Sequence, residues 1–224
     1  MIANHSDADG GVVVDRFVEL GWNFEHWARD TAPEWAELPD DVGLVVALGS
    51  DWSVYWEDVA AHVAAEARLM RTAHGRGTPI FGICFGGQML AHALGGVVER
   101  ASEPEVGWFS ITADSEEAEF IGLNAWFQWH YDRFVPPSGS RELARGPLGS
   151  QAFTVGRSLG LQFHPEITPT IVARWSSGAG AEELARLGLD ASRLLEETHS
   201  HEHVSRTAAR HLVDWFTAHF IQPL

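Results

Sequence analysis

The stretch that most constrains this chain is a five-residue turn from Gly82 to Gly86, with the letters GICFG, which surrounds the only cysteine, Cys84. The apolar run Pro79–Ile83 before it predicts a buried strand, and Gln88–Leu94 has the apolar spacing of a helix. A strand, a sharp turn and a helix around a reactive atom form a nucleophile elbow. Glycine is expected at both ends of the turn because larger side chains would collide there.

Cys84 has two interpretations. A lone cysteine is most often a small buried hydrophobic residue that takes no part in chemistry. On an elbow, however, the thiol lies at a helix N-terminus, where unpaired amides and the helix dipole favour a thiolate. A nucleophile also needs a base, so the second interpretation requires another motif elsewhere in the chain.

The composition restricts the partners that the chain can bind. Its 224 residues, 45% of them hydrophobic and 21% charged, predict a single globular domain over 1–224, with a helical segment, 169–224, as part of it. The formal charge of −16 disfavours nucleic acid and anionic membranes as partners. One cysteine predicts no internal disulfide and therefore a reducing, cytoplasmic setting. Neither a signal peptide nor a membrane span is predicted.

The order of the predicted elements indicates an α/β fold. Strands and helices alternate as far as Leu94, which predicts a doubly wound, mostly parallel sheet flanked by helices. Shorter β-type runs then predict a small antiparallel or mixed extension. The other predicted elements are helices at Val12–Leu20, Trp56–His74, Thr170–Ser176, Ala181–Leu187, Ala191–Glu197 and His203–Phe220, and strands at Asn23–Trp27, Val42–Leu48, Val97–Arg100, Val106–Ala113, Ala125–Trp129, Arg141–Arg145, Gln151–Val155 and Leu159–Phe163.

A second motif, His164-Pro165-Glu166, follows the last predicted strand. Proline favours an extended conformation at the residue before it, and residues two apart in an extended chain point to the same side. If this strand end lies beside the elbow, His164 can take the thiol proton while Glu166 fixes the histidine tautomer. Standing alone, the motif would be equally typical of a surface turn.

Together, the letters GICFGGQ at 82–88 and FHPE at 163–166 resemble the two signatures of the class I (triad) glutamine amidotransferases. Within that family the chain is similar to stand-alone proteins that correspond to the glutaminase domain of GMP synthase. The resemblance extends to Ser53–Tyr55, to Glu105–Trp108 and to the segment 130–137. It implies a flavodoxin-like sheet and an enzyme that needs no cofactor and no metal.

The resemblance also implies a reaction, the hydrolysis of the γ-amide of glutamine. The Cys84 thiolate would attack the amide carbon to give a γ-glutamyl thioester, His164 would protonate the leaving ammonia, and water would release glutamate. The oxyanion hole would consist of backbone amides from Ser50 and Phe85. The implied substrate-binding positions are Gly49, Gln88, Trp129, Tyr131 and Asp132, although Gln88 is equally well explained as a polar residue in a first helical turn.

The chain departs from the family pattern at Gly49-Ser50-Asp51, where Gly-Gly-Pro is usual. A serine donates the same backbone N–H, but it is strained if the loop requires a positive φ. Weakened oxyanion binding is one expectation, and a Ser50→Gly substitution would then raise turnover. The other is a loop that rearranges when a partner docks. The sequence also carries no P-loop or other ATP-binding signature, so the ammonia acceptor is expected to be a separate synthase.

Three other functions stay open from the sequence. Hydrolysis of a different γ-glutamyl compound would use the same thioester chemistry, because only the pocket beyond the acyl carbon differs. A binding or regulatory protein would keep the fold without activity, although the intact Cys-His-Glu set counts against this. A hydrolase of the DJ-1 type fits less well, since the His-Pro-Glu motif is not its pattern.

Two further clusters have alternative explanations. The spacing of His199, His201 and His203 is compatible with metal binding, but alternate residues do not share a helix face, which favours a solvated helix junction. The aromatic residues near the Ser50 loop predict a pocket wall, a docking face for a synthase or ordinary packing. These residues are Trp52, Tyr55 and Trp56.

Overall fold

The computed structural model of the chain describes residues 1–35, 37–114, 118–122 and 124–221. Its strands are β1 (Ile2–Ala3), β2 (Trp27–Ala28), β3 (Val45–Ala47), β4 (Ile80–Ile83), β5 (Val97–Ser110), β6 (Thr112–Ala113), β7 (Ala125–Val135), β8 (Arg141–Gly146), β9 (Gly149–Val155) and β10 (Ser158–Leu161). Its α-helices are α1 (Gly11–Glu19), α2 (Ala60–Gly75), α3 (Phe85–Ala93), α4 (Glu119–Gly122), α5 (Pro169–Trp175), α6 (Ala179–Arg186) and α7 (Ala191–Phe220). Short 3-10 helices lie at Arg29–Glu34 and Glu57–Val59.

Eight strands form the main sheet, in the order β2-β1-β3-β4-β10-β9-β8-β6. The first five run parallel to one another, and β9, β8 and β6 continue the sheet in antiparallel pairs. Strands β5 and β7 form a separate antiparallel ribbon. The predicted fold class, a doubly wound and mostly parallel sheet with a small antiparallel extension, is confirmed.

The parallel part of the sheet determines where the site lies. Strands β3, β4 and β10 are neighbours with β4 in the middle, so their carboxyl ends meet at one edge. Ser50 lies beyond β3, Cys84 follows β4 directly and His164 lies beyond β10. Open α/β sheets place their ligands at this edge.

The core is divided between the two faces of the sheet, because successive strand residues point to opposite sides. On one face, Phe17 of α1, Phe81 of β4 and Phe216 of α7 pack edge to face with ring centroids 5.1–6.2 Å apart. On the other face, Ile80 packs into a cluster with α2 and α3 that includes Met70. The central strands are therefore covered on both sides.

Several predicted elements differ from the structure in their bounds. The predicted strand Asn23–Trp27 overlaps β2 at a single residue, and Val42–Leu48 is shortened to β3 at both ends. The two runs Val97–Arg100 and Val106–Ala113 were predicted as separate strands; most of their length belongs to the single strand β5. An irregular register between Arg100 and Glu105 explains the apparent break in the pattern.

The predicted helix junction at the histidine cluster is wrong, because α7 runs unbroken through it. No glycine or proline occurs between Ala191 and Phe220, so nothing in this stretch stops a helix. His201 stacks on Trp108 with ring centroids 4.4 Å apart, while His199 and His203 are exposed. In the described part of the chain, no helix combines the length and apolar character that crossing a membrane requires.

Candidate active site

Cys84 lies on a strained turn between β4 and α3, with φ +50° and ψ −108°. It is the only non-glycine residue with a positive φ among the residues that the structure describes. Two backbone hydrogen bonds hold it, since its N–H donates to Leu161 O at 2.9 Å and its carbonyl accepts from Gln88 N–H at 2.9 Å. Strain of this kind is costly and persists where the surrounding structure enforces it.

The two glycines of the elbow allow α3 to approach the sheet closely. A Cβ at Gly82 would lie 2.6 Å from Gly86 O, and a Cβ at Gly86 would lie 2.1 Å from Ala47 O at the end of β3. Both contacts involve backbone atoms, which cannot rotate away. Glycine at each end of the turn is therefore a steric requirement, as the sequence predicts.

His164 and Glu166 form a buried pair, with Nδ1 of the histidine 2.7 Å from Oε1 of the carboxylate. The N–H of His164 donates to Phe127 O at 2.8 Å and fixes the backbone there. Burial alone would lower the pKa of His164, but the negative charges of Glu166 and Cys84, together with the hydrogen bond to Glu166, raise it well above its usual 6.5. Both neighbours therefore favour the protonated form of His164.

Gly49 shows how closely the histidine and the cysteine approach each other. A Cβ built at this position would lie 3.1 Å from His164 Cε1 and 3.8 Å from Cys84 Cβ, so both side chains border one point. The edge of His164 also meets the Trp175 ring, with centroids 5.0 Å apart. Nε2 of His164 has no hydrogen-bond partner in the ranges that the structure covers.

A cleft of about 810 Å³ opens above the sheet edge. The predicted site residues that line it are Ser50, Cys84, Gln88, Trp129, Tyr131, Asp132 and His164. Glu166 lies behind the histidine, and Gly49 faces the histidine from the loop. The Phe85 side chain is buried away from the cleft, so this residue presents its backbone to the helix N-terminus.

Two of the predicted substrate-binding residues, Gln88 and Asp132, are already hydrogen-bonded in the structure. Gln88 Nε2 donates to Asp132 O at 3.2 Å, and the Asp132 carboxylate accepts from Ser53 Oγ at 2.5 Å and Tyr55 OH at 2.7 Å. The Trp129 carbonyl lies 4.0 Å from Cys84 Sγ, beside the nucleophile. The segment thus forms a braced wall of the cleft.

Tyr131 belongs to the same wall but faces α6. Its pKa is raised to about 12 by burial and by a hydrogen bond to Glu183. Glu183 Oε1 also accepts from Trp129 Nε1 at 3.0 Å. This carboxylate therefore holds two aromatic residues of the wall in place.

Ser50 is free of the strain that its departure from the family pattern suggests. Its φ is not positive, so a serine fits the loop as well as a glycine. Its hydroxyl accepts a hydrogen bond from Trp52 N–H at 3.2 Å and shapes the turn. The premise that a serine weakens the loop through a positive φ is wrong.

Two residues of the site lie outside the motifs that the sequence predicts. Gln162 Nε2 lies 3.9 Å from Cys84 Sγ, and Trp175 both contacts His164 and donates from Nε1 to Asp7 Oδ2 at 2.7 Å. The signal for Gln162 was present, since it is the one polar side chain in the run Leu159–Phe163 and is buried. Trp175 had no comparable signal.

No group of three or more His, Cys, Asp or Glu side chains suited to a metal ion occurs in the described ranges. The histidines of α7 are spread around the helix, with His201 packed on an aromatic ring.

The known proteins that this chain resembles are glutamine amidotransferases and GMP synthases. A family model described as "Glutamine amidotransferase class-I" matches residues 57–173, slightly more than half of the chain. The GMP synthase (glutamine-hydrolyzing) of Aeropyrum pernix is 34% identical over 173 residues, which are 71% of this chain and 32% of that protein. One subunit of the GMP synthase (glutamine-hydrolyzing) of Sulfurisphaera tokodaii is 38% identical over 142 residues, which are 60% of this chain and 72% of that protein.

Among solved structures, a glutamine amidotransferase from Thermotoga maritima matches with a TM-score of 0.84 and 30% identity, over 96% of this chain and 95% of that one. A glutamine amidotransferase from Methylobacillus flagellatus, at 22% identity and a TM-score of 0.79, shares the fold over 100% of this chain and 94% of its own. The chain spans about a third of the length of the single-chain GMP synthases that it matches.

Proposed function

Because the chain belongs to the class I glutamine amidotransferase family, we propose that it is a hydrolase of that type, which cleaves the γ-amide of glutamine through a thioester on Cys84. The thiolate attacks the γ-carbon, and a tetrahedral intermediate forms. His164 then gives its proton to the amide nitrogen as the C–N bond breaks and ammonia leaves. With His164 as base, water attacks the γ-glutamyl thioester, and glutamate is released with the thiolate restored.

The observation that carries this proposal is the juxtaposition of Cys84 and His164 in one cleft, with Glu166 2.7 Å behind the histidine. A nucleophile, a base and a carboxylate that orients the base form a complete triad for acyl transfer. The raised pKa of His164 supports its role, because the first step requires a protonated histidine to serve the leaving nitrogen.

The oxyanion would be bound by the backbone amides of Ser50 and Phe85. Phe85 is the first residue of α3, and the first amides of a helix have no intrahelical acceptor. The Ser50 N–H likewise donates no hydrogen bond within the described ranges. One unpaired donor follows the nucleophile directly and the other belongs to the loop that borders it, and such donors suit a developing negative charge.

The test is to incubate the purified protein with glutamine and to follow glutamate and ammonia, with Cys84→Ser as control. Mass spectrometry of the acid-quenched protein should detect a γ-glutamyl adduct on the wild type and none on the variant. An absence of turnover together with an unmodified Cys84 would refute the glutaminase proposal.

A second candidate is the hydrolysis of another γ-glutamyl compound, and the size of the cleft favours it. A volume of about 810 Å³ exceeds what one free glutamine needs, and four tryptophans line it: Trp52, Trp56, Trp129 and Trp175. Aromatic walls suit a larger group on the leaving nitrogen. A panel of γ-glutamyl amides and peptides, assayed beside glutamine, decides between the two by kcat/KM.

A catalytically weak binding or regulatory role is the least supported alternative, because the triad is complete and Ser50 is unstrained. The relatives that are named as subunits of a GMP synthase suggest that a separate synthase accepts the ammonia. We place the reaction in the cytoplasm, since a reducing compartment preserves a free thiol nucleophile. Co-purification of a synthase with the chain, and stimulation of glutaminase activity by it, tests the partner.

A further inference from the structure

Arg29 is a fully buried arginine that lies against the loop after β3. Its Nε donates to Glu66 Oε2 at 2.7 Å, and Glu66 is fully buried as well. Its two terminal nitrogens reach the loop, where Nη2 donates to Leu48 O at 2.9 Å and Nη1 donates to Gly49 O at 3.0 Å. Nη1 also donates to Asn4 Oδ1 at 2.7 Å.

The bond to the Gly49 carbonyl bears directly on the Ser50 amide, because the two groups belong to one peptide unit. In a planar trans peptide the carbonyl oxygen and the N–H point in opposite directions, and the described chain contains no cis peptide. Holding Gly49 O toward Arg29 therefore turns the Ser50 N–H away from the arginine. A hydrogen bond to the carbonyl also polarises the peptide and makes its N–H a stronger donor.

The same guanidinium contacts the second oxyanion donor. Its central carbon lies 4.7 Å from the centroid of the Phe85 ring, which is a cation–π contact. Phe85 begins α3, and its N–H is the other amide assigned to the oxyanion. Arg29 thus bridges the β3 loop and the elbow, the two backbone segments that must be aligned for both donors to meet one oxygen.

The cost of burying this pair argues for a role beyond stability. An apolar pair of similar volume in place of a buried ion pair is often neutral or stabilising. What a charged pair adds is a set of directed hydrogen bonds, which fix a geometry that apolar side chains cannot fix. Here the guanidinium makes two bonds to carbonyls of the oxyanion loop and two to Glu66.

We propose that Arg29, fixed by Glu66, is a positioning residue that aligns the oxyanion hole. It acts through the Gly49–Ser50 peptide and through Phe85, and it does not touch the substrate. The inference rests on the proposed function, in that it requires a tetrahedral oxyanion to form at Cys84.

The test compares two reactions of the thiol that differ in their need for the oxyanion hole. Acylation of Cys84 by p-nitrophenyl acetate passes through a tetrahedral oxyanion, whereas alkylation by iodoacetamide is a direct displacement at carbon and forms none. The double variant Arg29→Gln/Glu66→Gln removes both charges and leaves no unpaired buried ion. A matched control, Arg16→Gln/Asp214→Asn, removes the ion pair that joins α1 to α7 at 2.7 Å, away from the cleft.

We expect the acylation rate of the double variant Arg29→Gln/Glu66→Gln to fall by about 10- to 100-fold, which is somewhat less than the effect of losing a whole oxyanion donor. Its alkylation rate should stay within about threefold of wild type. The control should change neither rate. Acylation within threefold of wild type, or a parallel fall in both rates, would overturn the proposal. If the double variant does not fold, Arg29→Lys keeps the charge and should show the same selective loss to a smaller degree.

This design separates the inference from the proposed function. A wild-type protein that is acylated by p-nitrophenyl acetate but hydrolyses no γ-glutamyl amide would refute the proposed function alone. The ratio of acylation to alkylation would still decide the role of Arg29.

Discussion

The imidazole of His164 is held 2.7 Å from the carboxylate of Glu166, and both side chains are almost wholly buried. Because the carboxylate accepts from Nδ1, the other ring nitrogen, Nε2, is left to exchange protons with Cys84 and the substrate. The same contact raises the pKa of His164 against the effect of burial. Orientation and charge of the base thus depend on one carboxylate.

Replacement of Glu166 by Gln should test this dependence. The amide keeps the shape of the side chain but removes its charge, so the pKa of His164 falls and the imidazolium is lost at lower pH. We expect kcat to decrease by about 10² to 10⁴ and the alkaline limb of the kcat profile to move to lower pH. A kcat decrease with an unmoved limb would contradict the electrostatic role.

The raised pKa also has a consequence for stability. A histidine whose pKa is higher in the folded state stabilises the fold fully below its unfolded pKa of about 6.5, and this contribution disappears as the pH rises through the raised value. Urea unfolding should be measured for wild type and Glu166→Gln from about pH 6.5 upward through the raised pKa of His164. The two proteins should differ most in their free energy of unfolding at the acidic end of this pH range.

The strained backbone of Cys84 predicts a difference between two inactive variants. Alanine keeps the Cβ and therefore the strain of φ +50°, whereas glycine adopts this conformation freely. Cys84→Gly is expected to be more stable than Cys84→Ala by about 1 kcal/mol. Urea unfolding measures the difference, and equal stabilities would show that the turn stores no strain at this residue.

The close approach of α3 to β3 predicts that Gly86→Ala is severely destabilising. Its Cβ would lie 2.1 Å from Ala47 O, so α3 and β3 must move apart. We expect the free energy of unfolding to fall by about 2 to 3 kcal/mol. Gly75→Ala is the matched control, because no atom lies within 4 Å of its Cβ and its φ is not positive. Thermal unfolding should give a lower Tm for Gly86→Ala than for wild type, and an unchanged or slightly higher Tm for Gly75→Ala. Similar Tm values for the two variants would refute the steric argument.

The elbow and the His-Pro-Glu motif were predictable because their geometry is local. Glycine spacing around Cys84 and the proline after His164 restrict the backbone whatever surrounds them. The α/β class followed from the alternation of apolar strands with amphipathic helices, and the meeting of strand ends at one sheet edge followed from that class.

Other features depend on tertiary contacts and leave weak local signals. Arg29 and Glu66 are 37 positions apart, and neither lies in a motif. Likewise, the role of Trp175 depends on α5 packing beside His164. The strain expected at Ser50 was inferred from the family pattern, although the φ of a loop residue is set by the packing of the whole loop.

The last prediction concerns Ser50, whose backbone N–H is proposed to bind the oxyanion. Ser50→Pro removes this N–H, while Ser50→Ala removes only the hydroxyl and keeps the donor. We expect the kcat of the proline variant to fall by about 10²- to 10³-fold, which is the usual effect of removing one oxyanion donor. The kcat of the alanine variant should stay near that of wild type. Because φ at Ser50 is not positive, Ser50→Gly should leave kcat within about twofold, since there is no strain to relieve.

Alkylation of Cys84 by iodoacetamide provides the control for these Ser50 variants, because it reports the thiolate without an oxyanion. A proline variant that keeps alkylation but loses turnover places the defect in the oxyanion hole. If Ser50→Pro turns over as fast as Ser50→Ala, the loop amide takes no part, and the oxyanion must be bound by the Phe85 amide without it. A Ser50→Gly variant with a clearly higher kcat would show instead that the loop adopts a positive φ during the reaction, which serine resists.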